Sequence, residues 1–136
     1  MKKIISKYKG PVYDYSCSEA ILHAANEKYN LYLDENCFKM VAPFSGGLLT
    51  EDICGILTAS ITVLGLIFTN KVAHQSPLLK EATVEYIKMF KEELNSTNCF
   101  TLKSMYRDDF VGCKSIIIQG AEILEKVIEK YEKQKV

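Results

Sequence analysis

The stretch that decides the fold is Glu51–Thr69, EDICGILTASITVLGLIFT. It is the longest apolar run in the chain and predicts a central helix. Glu51 and Asp52 put negative charge at its expected start, where the helix dipole favours it. At about 100° per residue, Gly55, Thr58, Thr62 and Gly65 share one narrow face, with Ala59 beside them. Ile53, Leu57, Ile61, Leu64 and Phe68 occupy the opposite face. A helix apolar nearly all round is expected to be buried on all sides. Glycine in a helix interior costs about 1 kcal/mol against alanine. Gly55 and Gly65 therefore predict close packing, with Cys54 beside Gly55 in the first turn.

Outward from this helix, the pattern stays helical in both directions. Pro43-Phe44-Ser45-Gly46-Gly47 is a tight loop in which glycine allows positive φ and close backbone approach. It lacks the spacing and the Lys-Ser/Thr ending of a phosphate loop, and a plain turn accounts for it. Before it, Asp34 caps a short helix to about Val41, with Cys37, Phe38 and Val41 on its inner face, and Pro43 stops it. Ser16 with Glu19 forms a capping-box signal for a helix to Tyr29-Asn30, with Cys17 in its first position. Met1–Val12 is polar, and Gly10-Pro11 interrupts it. Downstream, Thr69–Ser76 reads as a loop and Pro77 opens a helix to about Leu94. Asn95–Asn98 breaks the chain, a short helix spans Cys99–Met105, and a last helix runs from about Cys113 to Lys133. No stretch alternates as a strand does. The expected fold is all-α: one domain over residues 1–136, a compact irregular bundle of five or six helices around the buried central one.

The composition excludes several functions. Seventeen basic and seventeen acidic side chains cancel, so nothing points to nucleic acid. Ile53–Phe68 is shorter than the roughly 20 residues of a membrane span and is broken by Gly, Thr and Ser. The basic start is followed by no apolar signal region, so a cytoplasmic protein is expected. Glu51-Asp52 and Asp108-Asp109 are carboxylate pairs, but neighbouring positions on a helix point apart, and no hydrolase pattern is present.

Five cysteines in such a chain read as reduced thiols, metal ligands or redox groups rather than as a disulfide framework. Cys17, Cys54, Cys99 and Cys113 each fall at a predicted helix start. Backbone N–H groups and the dipole favour a thiolate there. Cys37 lies inside a helix on its apolar face and reads as a small buried hydrophobe. His23 and His74 form no metal pair, and each reads as an ordinary surface or core histidine.

The chain resembles the small redox-associated proteins named for their C-GCAxxG-C-C cysteine pattern, over roughly Tyr15–Glu125. The likeness rests on SCSEAIL at Ser16–Leu22, FSGG at Phe44–Gly47, CGILTAS at Cys54–Ser60 with VLGL at Val63–Leu66, NCFTL at Asn98–Leu102 and CKSI at Cys113–Ile116. The family's cysteines map onto Cys17, Cys54, Cys99 and Cys113, and not onto Cys37. Ile56 stands where the pattern has alanine and Ala59 where it has a second glycine. These departures bear on packing around the site rather than on the cysteines. A related domain occurs in split-Soret-type cytochromes, where an iron–sulfur cluster has been proposed.

The resemblance implies redox chemistry by one of several routes. Four thiolates can hold a 2Fe–2S or 4Fe–4S cluster, with helix-start N–H groups donating to the sulfurs. They can instead cycle through disulfides, or close around a structural zinc. Gly46, Gly47 and Gly55 are the positions expected to let the backbone approach a cofactor. An electron-transfer partner goes with this reading; for any oligomer, a two-fold homodimer is the expected form. The contrasting expectation is a small helical interaction module with inert cysteines.

Overall fold

A computed structural model describes residues 1–135. Its elements are α1 (Lys2–Tyr8), α2 (Cys17–Tyr29), α3 (Glu35–Val41), α4 (Gly55–Phe68), α5 (Pro77–Leu94), α6 (Cys99–Tyr106) and α7 (Lys114–Glu132). The protein is all-helical, with no strand among the described residues. The central helix, α4, packs against α2, α5 and α7. One hydrophobic cluster joins them, with Ala59, Val63 and Leu64 of α4 fully buried among Ile21, Phe90, Ile117 and Leu124. No helix among the described residues is long and apolar enough to cross a membrane.

Caps and a proline set several boundaries where the sequence puts them. Ser16 completes its capping box with Glu19, and Asn30 ends α2 in the left-handed conformation. Asp34 caps α3 through the N–H groups of Asn36 and Cys37, and Pro77 opens α5.

Three expectations need correction. The seventh helix, α1, lies in the stretch read as irregular. Met1, Ile4, Ile5 and Tyr8 follow the helical i, i+3, i+4, i+7 spacing and pack on the core, with Ile5 fully buried. The lysines between them mask this stripe. Second, α4 begins at Gly55 rather than Glu51. Gly46, Gly47, Leu48, Leu49 and Glu51 all take positive φ, so the chain makes a left-handed turn before the helix. The Glu51 and Asp52 charges therefore precede the helix instead of sitting in its first turn. Third, α4 is not buried all round. Leu66 is 46% exposed, and nothing but Thr69 Oγ1, at 4.0 Å, approaches a Cβ built on Gly65. Thr58 and Thr62 bond their own helix carbonyls on the same partly open face.

The departure of Ile56 from the family pattern has a structural counterpart. Ile56 is 1% exposed, and its Cγ2 occupies the space where a Cβ on Gly120 of α7 would stand. Nearby, the buried Tyr86 hydroxyl hydrogen-bonds Ser60 Oγ at 2.9 Å and donates to the Gly120 carbonyl at 3.0 Å. It ties α5 to α4 and α7 at one point.

His23 is half-buried. Its ring stacks between Tyr15 and Phe38, with centroids 4.2 and 3.8 Å away. Tyr13 extends the stack beyond Tyr15.

Two consequences are measurable. Tyr86→Phe removes both hydroxyl contacts and is expected to lower unfolding free energy by about 1 kcal/mol; an unchanged urea midpoint would refute the role. Loss of solvent lowers the His23 pKa below its ordinary 6.5, with Glu19 opposing. Folding then favours the neutral ring, so its contribution is complete above pH 6.5 and falls as pH drops through the lowered value. His23→Phe should flatten the acid limb of Tm against pH, and identical profiles would show that His23 contributes nothing to it.

Candidate functional site: a four-cysteine cavity

Two short chain pairings bring the helix starts together. The Cys54 N–H donates to the Thr97 carbonyl at 2.8 Å, and the Cys99 N–H donates to the Asp52 carbonyl at 2.5 Å. This isolated antiparallel bridge, centred on Ile53 and Asn98, clamps the start of α4 to the start of α6. The second pairing is a tight turn in which Asp108 and Gly112 exchange N–H···O bonds of 2.9 and 2.8 Å. Asp108 Oδ1 also accepts from the Phe110 and Val111 N–H groups. This turn delivers Cys113 to the start of α7.

The start of α2 is tied down by serines. Ser18 Oγ donates to the Val41 carbonyl at 2.8 Å, and Ser45 Oγ lies 2.7 Å from Ser16 Oγ. These bonds hold the Ala42–Phe44 segment beside Cys17 and against Gly55.

Cys17 and Cys99 are the first residues of α2 and α6, behind the side-chain caps Ser16 and Asn98. Cys54 and Cys113 are themselves the caps of α4 and α7. All four line one cavity of about 270 Å³. Cys54 and Cys99 are 5% and 7% exposed, while Cys17 and Cys113 are half-buried. All five cysteines are free thiols. Cys37 lines no part of this cavity and is half-buried rather than fully buried. A larger groove of about 670 Å³, between Tyr29, Leu66 and Glu129, contains no cysteine.

The glycines divide into two roles. Gly46 and Gly55 line the cavity. Gly47 does not; it packs behind Cys99. A Cβ on Gly47 would stand 2.5 Å from Cys99 Cβ, and its φ of +66° already favours glycine. A Cβ on Gly55 would stand 2.5 Å from the Phe44 carbonyl oxygen and 2.9 Å from Cys17 Sγ. The close packing expected at Gly55 is thus present, and it is what lets Cys17 Sγ lie against Gly55.

Cys54, Cys99 and Cys113 are not thiolate-prone as their helix-start positions suggest. Burial pushes the Cys54 pKa up to about 12, against the pull of the Ile56 and Leu57 N–H groups. Burial also raises Cys99 and Cys113, opposed by Lys103 at both and by Arg107 and Lys9 at Cys113. Desolvation penalises the charged sulfur more than the helix-start N–H groups reward it. Among the described residues, no three His, Cys, Asp or Glu side chains are arranged to hold a single metal ion. Tetrahedral zinc requires four sulfurs about 3.8 Å apart, given its short bonds. A cluster of several irons spreads its thiolates more widely.

Lys9, Lys103 and Arg107 also line the cavity. Sequence reading missed them because nothing local marks a lysine or arginine that reaches a distant cysteine.

A family model described as "Putative redox-active protein (C_GCAxxG_C_C)" matches residues 15–127, and the chain belongs to this family. No curated protein and no solved structure matches the chain.

Gly55→Ala tests the packing that forms the site. It is expected to cost about 1–3 kcal/mol, because the nearest atom is backbone and cannot step aside. Equal urea midpoints for the variant and the parent would show that the Phe44–Gly55 contact is dispensable.

Proposed function

We propose that the protein is a redox protein in which Cys17, Cys54, Cys99 and Cys113 work as one centre. The observation that carries this reading is the meeting of four cysteines from four helix starts in one cavity, in a chain of a family described as redox-active. Cys37, outside the family pattern, is also outside the cavity. A reducing compartment such as the cytoplasm suits five free thiols.

The donor set suits an iron–sulfur cluster. Four cysteine sulfurs are available in one cavity, the number such a cluster takes. Cys17, Cys54, Cys99 and Cys113 would hold the cluster, which supplies one-electron transfer when bound. The chain's own contribution is the remainder of the site. The Ile56 and Leu57 N–H groups favour negative charge on Cys54. Leu102, Ile116 and Ile117 limit the water that reaches the sulfurs.

Anaerobic purification with iron and sulfide analysis tests the proposal. The protein is expected to be coloured and to bleach on reduction. Serine at any one of Cys17, Cys54, Cys99 or Cys113 should lower the iron content sharply, while Cys37→Ser should retain it. A colourless protein whose four thiols oxidise reversibly in pairs would replace the cluster with disulfide cycling. Absence of both metal and reversible oxidation would sink the redox reading and leave a helical interaction module.

A further inference from the structure

The mouth of the cysteine cavity carries a chemistry that the thiols alone do not need. Three cations line it, Lys9, Lys103 and Arg107, and among the described residues no carboxylate does. Arg107 is the only arginine in the chain. Its planar guanidinium grips a carboxylate through two parallel hydrogen bonds, which a lysine cannot do. Lys103 and Arg107 are four residues apart at the end of α6, the spacing that puts two side chains on one side of a helix. Lys9 is held in place by a 2.7 Å bond from its Nζ to the Tyr15 carbonyl.

Among the described residues these cations form no ion pair. Lys7, Lys28 and Lys130 each pair with a glutamate at 2.7 Å or less. Among the described residues, Lys9, Lys103 and Arg107 have no carboxylate within the 4.0 Å of an ion pair. Glu51 and Asp109 line an adjoining depression with Lys103 and Arg107, not the cavity itself. The recess is small and its deepest cysteines, Cys54 and Cys99, are almost fully buried. Its volume of about 270 Å³ is near the lower end of small-molecule sites. A small molecule can enter it, whereas the surface of a folded protein cannot.

We propose that Lys9, Lys103 and Arg107 make this mouth a recognition site for a small organic molecule bearing carboxylates, which the cavity seats against the cysteines. The proposal deepens the redox reading, on which it rests for its purpose, by naming the chemical class of the partner. The binding itself depends only on the cations and the cavity.

The single arginine makes the test direct, because the reduced full-length protein has one Arg Nε–H signal in its NMR spectrum. Citrate, at constant ionic strength, is expected to shift that signal saturably, whereas matched chloride leaves it in place. Lys103→Gln should weaken the citrate titration about fivefold, the scale of one exposed charge contact, while Lys91→Gln on α5 leaves it unchanged. In reduced protein freed of metal, bound citrate should also slow alkylation of Cys113 by neutral iodoacetamide without slowing that of Cys37. A signal that does not saturate, that follows chloride equally, or that saturates without protecting Cys113 overturns the proposal. The iron and thiol analyses are read separately. Citrate binding in a protein with neither metal nor reversible oxidation would sink the redox reading alone. A coloured, redox-active protein that ignores citrate would sink the carboxylate site alone.

Discussion

The site depends on two backbone hydrogen bonds between segments more than forty residues apart in sequence. Cys54 N–H to Thr97 and Cys99 N–H to Asp52 form one antiparallel bridge, just ahead of α4 and α6. Because each bond is made by a cysteine's own N–H, the bridge sets the relation between the two most buried thiols. The bridge also explains the irregular backbone before it. Gly46–Leu49 and Glu51 take left-handed angles, which cost about 1–2 kcal/mol for each non-glycine residue. That turn brings Asp52 alongside Cys99, and the missing side chain of Gly47 leaves room for the Cys99 Cβ.

Around this clamp, the same constraint is met in different ways at the other two helix starts. Cys17 is positioned by serine hydroxyls that hold the Ala42–Phe44 segment, and by Gly55, which admits its sulfur. Cys113 is positioned by the Asp108–Gly112 turn. These contacts together gather four sulfurs that share no local sequence neighbourhood. Three of these thiols, Cys54, Cys99 and Cys113, are costly to ionise in isolation. The cations at the mouth offset part of that cost at Cys99 and Cys113. A cationic occupant bound through the sulfurs would offset more of it, since coordination deprotonates a thiol outright.

The order and spacing of residues determined a good deal of this protein. Caps and breakers, read locally, placed α2, α3, α5, α6 and α7 to within a residue or two, because capping bonds join near neighbours. The all-helical class followed from periodicity, and the four cysteines of the family pattern were separable from Cys37 by their positions alone. The helix α1 carried its signal in Met1, Ile4, Ile5 and Tyr8, hidden by the lysines around it.

What only the tertiary structure decided rests on contacts between distant segments. The start of α4 moved from Glu51 to Gly55 because Asp52–Cys54 is drawn into the bridge with Thr97–Cys99, a pairing that no helical periodicity encodes. The open side of Gly65 and the crowding at Gly55 look alike in sequence; they differ because the Phe44 carbonyl and Cys17 meet only one of them. The direction of the thiol pKa shifts reversed for the same reason. A helix start is a local feature, whereas the desolvation that outweighs it comes from the whole core closing over the sulfurs. Lys9, Lys103 and Arg107 became part of the site through folding alone, because a cation in a cavity is defined by what surrounds it and not by its neighbours in the chain.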